Sequence, residues 1–360
     1  MRMSAVQKWF APVLLLVLLV TPLFTDRYVQ YVLNLVIIYV IVGIGLNLLL
    51  GYAGQFAFAH AALMGIGAYT AALLVFRLHV SFWIALPAAG IVATIIGSLG
   101  ALPALRMKRV YLALVTLAFA ELIQWLLIHW KWLTYGTDGV KLKSPEFFGI
   151  SMHGDYRMFY LLLILAVLLY VVAKRIVESR IGRAFVAIRE NEIVAQCNGI
   201  SVARTKGLVF ALSAFYAGIG GALFAVTLGF IVPESFGMFQ LVIHFSIVVI
   251  GGLISMYGSV LGALLLTTLP ELLRGFQSLQ EIIFGVLLMV FILLMPAGLA
   301  GLGKRKGWLP QEILSRNWRA LRDDRQSMAA TPDATTDDAS VRAPGAHDRP
   351  KPSVVTKSVP

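Results

Sequence analysis

Ten apolar runs, at roughly 9–25, 28–50, 57–77, 81–104, 110–130, 157–174, 207–230, 239–257, 259–274 and 279–298, divide this sequence. Runs of about 20 residues match the length an α-helix needs to cross a bilayer core. No water is available there for backbone groups, so a spanning segment must pair its own amides as a helix or within a closed barrel. The regular alternation of barrel strands is absent. The expected fold is therefore an all-α polytopic membrane protein with about ten transmembrane helices. Composition agrees: 59% of the residues are hydrophobic and only 13% are charged, roughly half the charged fraction of a soluble domain. The first run follows Arg2 and Lys8 and lacks a small-x-small cleavage site. It reads as a retained helix rather than a signal peptide.

A formal net charge of +12 would suit nucleic acid, but the positions of the cations point to membrane topology. With a cytoplasmic N-terminus, ten crossings place Arg106, Lys108 and Arg109 inside. They also place inside the segment carrying Lys174, Arg175, Arg180, Arg183, Arg189, Arg204 and Lys206, and the tail that starts Lys304-Arg305-Lys306. That excess on one face is the positive-inside pattern, with both termini cytoplasmic. The other face receives the long loop Lys131–Tyr156 and the turn at Pro233-Glu234. Two regions follow: a membrane domain over 1–303, with a polar loop at 175–206, and a tail over 304–360. From about 325 the tail is too poor in large apolar residues to fold.

Within the membrane domain, Leu46–Leu74 stands out, LNLLLGYAGQFAFAHAALMGIGAYTAALL. Gly51-Tyr52-Ala53-Gly54-Gln55 reads as broken backbone between two apolar halves. Irregular backbone at membrane depth is tolerated only under protein or beside a watery cavity, and transporters place substrate paths at such breaks. Asn47, Gln55, His60 and Tyr69 on this stretch, with Glu121 near the middle of its own run, are the candidate path residues. His60 either lines the path or holds the break through hydrogen bonds to freed carbonyls, and the structural role is the favoured one. Glu121 either meets a substrate ammonium or is protonated against a neighbouring helix. Glu271, next to Pro270, and His244 are expected in structural roles. The small-residue rows Ala214, Gly218, Ala222 and Gly258, Gly262 are expected to let helices pack closely.

A second stretch, Ser179–Lys206, is too polar to span and too patterned for a plain linker. Asn191 is a plausible N-cap, with Glu192 in the first turn, and Gly199 a plausible C-terminal stop. The helix between them, about two turns long and bearing Ile193, Val194 and Cys197, is too short to stand alone in water. It either lies on its own bundle or docks in a groove on a separate cytoplasmic partner. Arg189, Glu190, Asn191, Glu192, Ile193, Val194 and Gly199 are the candidate coupling residues.

Several blocks in order carry a family resemblance: GLNLLLGYAGQ and HAALMGIGAYTAALL within 45–74, YLALVTLAFAEL at 111–122, LTYGTDGV at 133–140, SRIGRAFVAIRENEIVAQCNGISVARTK at 179–206, LSAFYAGIGGALFA at 212–225, VVIGGLISMYGSVLGALLLTTLPELL at 248–273 and MPAGLAGL at 295–302. The sequence resembles the inner-membrane permeases of bacterial ABC importers for branched-chain amino acids, of the LivM type. It departs from the family pattern at Ala57 and Ala59, Lys108-Arg109, Ala118 and Ala120, and at Ile254, where a glycine is usual. The resemblance implies two permease chains (the second LivH-like), two cytoplasmic ABC ATPases, a periplasmic substrate-binding protein, and location in the bacterial inner membrane. It also implies that Asn191–Gly199 is the ATPase-contacting helix and that the chain performs no chemistry itself.

No GxxxxGK[ST] occurs, so ATP hydrolysis by the P-loop route falls to another chain. No HExxH, and only the one cysteine, Cys197, is present. Neither a metal site nor any cofactor is expected. The alternative reading is an ion-coupled secondary transporter, which would show inverted repeats and its own cation site. The Gly-rich segments near 43–56 and 250–262 are only faintly alike.

Overall fold

The chain is described here from a computed structural model, which covers residues 26–102, 109–142, 146–147, 150–151, 155–272, 280–294 and 298–302. The expected first span at 9–25, most of the basic stretch at 106–109, and the tail from 304 lie outside the described residues. The architecture is all-α and polytopic. Among the described residues, seven helical segments are long and apolar enough to cross a membrane: Arg27–Tyr52, His60–Leu78, Phe82–Ala101, Tyr111–His129, Tyr156–Glu178, Val202–Leu228 and Pro233–Gly251.

In chain order the helices are α1 (Arg27–Leu46), α2 (His60–Leu78), α3 (Phe82–Ala101), α4 (Arg109–His129), α5 (Asp155–Glu178), α6 (Arg180–Glu190), α7 (Glu192–Cys197), α8 (Val202–Leu228), α9 (Met238–Gly251), α10 (Met256–Leu272) and α11 (Gln280–Leu294). The last two predicted runs form helices of 17 and 15 residues, shorter than the seven. A backbone break at 252–255 consumes part of the apolar sequence there.

Helix α8 is the axis of the bundle and packs against α1, α2 and α3. Its glycines explain why. A Cβ at Gly221 would stand 1.9 Å from the Met64 carbonyl oxygen, and one at Gly67 would stand 2.2 Å from that of Gly218. Backbone therefore meets backbone between α2 and α8, as small-residue rows allow in lipid. The expected row of Ala214, Gly218 and Ala222 is buried, and it turns toward α3: a Cβ at Gly218 would stand 2.7 Å from the Ala89 carbonyl oxygen. The second expected row serves α9 and α10, where a Cβ at Gly262 would meet the Ile247 carbonyl at 2.0 Å.

At the end of the bundle reached by the C-terminus of α8, strands β1 (Val140–Lys141) and β4 (Phe230–Ile231) pair antiparallel. Strands β2 (Glu146–Phe147) and β3 (Ile150–Ser151) form a second small ribbon. Arg77 stands 5.2 Å from the rings of both Trp132 and Tyr135 and donates to the Trp132 carbonyl. The loop expected at 131–156 is thus anchored at its start. Glu271, expected in a structural role, accepts from the Tyr28 hydroxyl.

Candidate functional site

Helix α1 does not stop at Leu46. It widens into a π-helical turn over Asn47–Tyr52. The wide turn runs on through the bond from Ala53 N–H to the Leu48 carbonyl and ends at Gly54, whose φ is +63°. Gln55 N–H closes it against the Leu49 carbonyl, and α2 begins at His60. The break expected at 51–55 is therefore a π turn followed by irregular backbone to residue 59. Such turns recur at functional positions in helices.

A second break lies beside the first. Between α9 and α10 the chain passes through Gly252 at φ +111° and Ile254 at φ +64°. Isoleucine is rarely found in that left-handed region, because its branched Cβ crowds the backbone. Asn47, fully buried, ties the two breaks together. Its Nδ2 donates to the Ser255 carbonyl at 2.9 Å and to Ser259 Oγ at 2.8 Å, and its Oδ1 accepts from Ile254 N–H at 3.3 Å. Gly51 is small because it must be: a Cβ there would meet Asn47 Oδ1 at 1.9 Å and Ile254 N at 2.9 Å. The faint sequence likeness between 43–56 and 250–262 thus belongs to two segments in direct contact.

His60 opens α2 in the middle of the bundle and is buried. Its Nε2 lies 3.1 Å from the Val42 carbonyl, so Nε2–H donates there, and Nδ1 accepts from Ser213 Oγ at 3.2 Å. Both ring nitrogens are taken up by α1 and α8. His244 meets His60 edge to face at 5.6 Å and bonds Gln240, which also bonds the Tyr39 hydroxyl. A cavity of about 10 Å³ lies beside His60, Thr116, Phe119 and Ser213, room for one water at most. The bundle is closed here to anything of amino-acid size.

The five candidate path residues do not form one cluster. Asn47 and Gln55 belong to the break, and Gln55 is buried with Oε1 unpartnered among the described residues. Tyr69 lies nine residues along α2 from His60 and packs on Phe236 at 6.3 Å, its buried hydroxyl likewise unpartnered. Glu121 is exposed on the flank of α4. It lines a separate cleft with Gln124, Phe58, Gly237 and Met238. Among the described residues, no group of three or more His, Cys, Asp or Glu is placed to hold a metal.

The polar loop folds as two helices. Ser179 caps α6, whose Gly182, Phe185 and Ile188 are buried. Asn191 caps α7 by accepting from Ile193 N–H at 2.9 Å and Val194 N–H at 3.2 Å. Gly199, at φ +79°, ends it: Gly199 N–H bonds the Gln196 carbonyl and Ile200 N–H the Ala195 carbonyl, the paired pattern of a Schellman stop. Ile193 and Val194 point outward, 73% and 56% exposed, while Ala195 is buried. Glu190 is exposed.

The side-chain stem of Arg189 covers Gly54, where a Cβ would fall 2.7 Å from Arg189 Cγ. Helix α6 therefore rests directly on the break. Glu192 turns back and pairs with Lys206 of α8 at 2.8 Å. Lys206, in sequence one more cation of the inside face, is thus a partner in the site, and Ser213, Gln240 and Ser259 join it from within the bundle. All three lie in apolar runs where a polar side chain must find a partner, and that is the signal that marks them.

A family model described as "Branched-chain amino acid transport system / permease component" matches residues 28–295. The LivM permease protein of the Escherichia coli high-affinity branched-chain amino acid transport system is 33% identical over 317 residues, covering 81% of this chain and 75% of the relative. LivH of the same organism is 27% identical over 287 residues, 73% of this chain and 91% of the relative. The autoinducer 2 import permease LsrC of Klebsiella pneumoniae is 28% identical over 179 residues, 48% of this chain and 50% of the relative. No solved structure matches.

Proposed function

The chain belongs to the branched-chain amino acid transport system permease family, and from that membership we propose that it is the LivM-type permease subunit of an ABC importer for branched-chain or related small amino acids. It sits in the bacterial inner membrane with both termini in the cytoplasm and pairs with a LivH-like permease. Two cytoplasmic ATPases supply the force, a periplasmic binding protein delivers substrate, and this chain contributes a conduit without chemistry of its own. Residues 1–303 form the membrane domain and 304–360 the cytoplasmic tail.

The observation that carries this reading is α7. It is a six-residue helix capped at both ends and held by its own chain, yet it presents Ile193 and Val194 outward. A helix that short is not stable by propensity, and two exposed apolar anchors flanked by charge suit a groove on another protein. Arg189, Glu190, Asn191, Glu192, Ile193, Val194 and Gly199 compose this prong. In the membrane, Asn47, Gln55 and His60 shape the break, and Tyr69 lies farther along the same helix. Glu121 faces the path: a carboxylate on an exposed helix flank at that depth is too costly to leave in lipid.

The test is to purify the tagged chain after co-expression with the ATPase, permease and binding-protein genes of its source organism. Uptake of radiolabelled leucine is then measured in proteoliposomes. The wild-type chain is expected to bring down the ATPase and to move leucine only with ATP. Ile193→Ser with Val194→Ser should leave insertion intact and abolish both. Leucine transport without an ATPase, or normal uptake with α7 scrambled, would overturn the assignment.

A further inference from the structure

Lys206 is the unexpected residue in the coupling region. It lies in the second turn of α8, and its side chain is only 4% exposed. Its ammonium group meets both carboxylate oxygens of Glu192, each at 2.8 Å. Glu192 is the first residue of α7, and its own side chain is 36% exposed. A buried ammonium is expensive unless a carboxylate answers it, so removing one partner is far costlier than replacing both.

The placement gives this pair a mechanical role. Helix α7 touches the bundle through few side chains: Ala195 is buried, while Ile193, Val194, Gln196 and Cys197 are exposed. Helix α8 starts at Val202 and runs 27 residues through the bundle centre, packed against α1, α2 and α3. Between α7 and α8 stand only Asn198–Ser201, a turn closed by Gly199. The ion pair bridges that turn.

We propose that Glu192 and Lys206 form a strut that transmits movement of the prong to α8, so that Glu192 acts as a positioning residue inside this chain and is not a docking charge for the ATPase. Attachment and transmission are then separate properties of neighbouring residues. Ile193 and Val194 hold the motor, and Glu192 with Lys206 passes its motion to the axis of the bundle. The proposal rests on the permease reading above and refines the role of one of its coupling residues.

The experiment compares Lys206→Met, Glu192→Gln and the charge-exchanged pair Glu192→Lys with Lys206→Glu in the full complex. Three quantities are read: ATPase retained on purification, ATP hydrolysed, and radiolabelled leucine moved per ATP. Both single variants are expected to keep the ATPase but to move about tenfold less leucine per ATP, and the exchanged pair to recover most of that loss. Loss of the ATPase from the Glu192→Gln complex, with Lys206→Met normal, would overturn the strut and make Glu192 a docking residue.

A second measurement needs no partner. A spin label on Cys197, the exposed cysteine of α7, should gain mobility in Lys206→Met and regain order in the exchanged pair. Unchanged mobility in Lys206→Met would overturn the proposal. Failure of the permease reading itself has a different signature, since the wild-type chain would then retain no ATPase while the label still responded.

Discussion

Replacing Asn47 by leucine tests whether the two breaks are held together as described. Asn47 makes three hydrogen bonds across the contact. Charging the full cost of a buried orphan, about 1–3 kcal/mol each, to all three would predict a loss of roughly 6 kcal/mol. The geometry argues for much less. Ser255 carbonyl oxygen already accepts the Ser259 N–H at 3.2 Å within α10, so losing Asn47 does not orphan it. Ser259 Oγ sits one turn past that carbonyl and can rotate to donate to it, as serines in membrane helices commonly do. Only Ile254 N–H is left without a partner.

The expected cost of Asn47→Leu is therefore about 2 kcal/mol, one orphaned donor plus little else, since membrane hydrogen bonds average only about 0.6 kcal/mol net. The assay is SDS-induced unfolding of the purified chain in bicelles, run as a cycle with Ser259→Ala. Ser259→Ala alone leaves one Asn47 N–H unpaired and should cost about 1 kcal/mol. The double variant should cost about 2 kcal/mol, because the same single donor is orphaned, giving a coupling of roughly 1 kcal/mol. A cost for Asn47→Leu below about 0.5 kcal/mol, or a cycle additive within about 0.3 kcal/mol, would refute the claim that this amide fastens the breaks.

Three further outcomes follow from the same geometry. Ile254→Gly should be more stable than Ile254→Ala by about 1 kcal/mol in the same unfolding assay, the reverse of the order in a helix, because only alanine keeps the left-handed strain. Gly54→Ala should lower stability in the same unfolding assay, and adding Arg189→Ala should recover part of the loss. Part of the harm is the clash with the Arg189 stem, and about 1 kcal/mol of left-handed strain remains. Asn191→Ala removes the acceptor for two N–H groups of α7 and should cost that helix about 1 kcal/mol, seen as faster amide hydrogen exchange at Ile193 and Val194 than the wild type gives.

The periodicity of apolar residues carried most of the fold, because in lipid the backbone permits so few alternatives. Asn191 and Gly199 were legible for a related reason: a cap is a local device, written in residues next to the helix it ends. What was hidden is the pairing across long intervals. Asn47 and Ser259 are 212 residues apart and His60 and Ser213 are 153 apart, and no local pattern links either pair. Sequence also drew the five path candidates toward one cavity, whereas the structure disperses them among a fastened break, a satisfied core histidine, a distant tyrosine and an exposed flank. Asn47 and His60 have every polar group of their side chains engaged within the chain. In this closed arrangement their hydrogen bonds tie neighbouring helices and breaks together. Among the described residues the polar groups still unspent are Gln55 Oε1 and the Tyr69 hydroxyl, while Glu121 lines a cleft of its own on the flank of α4.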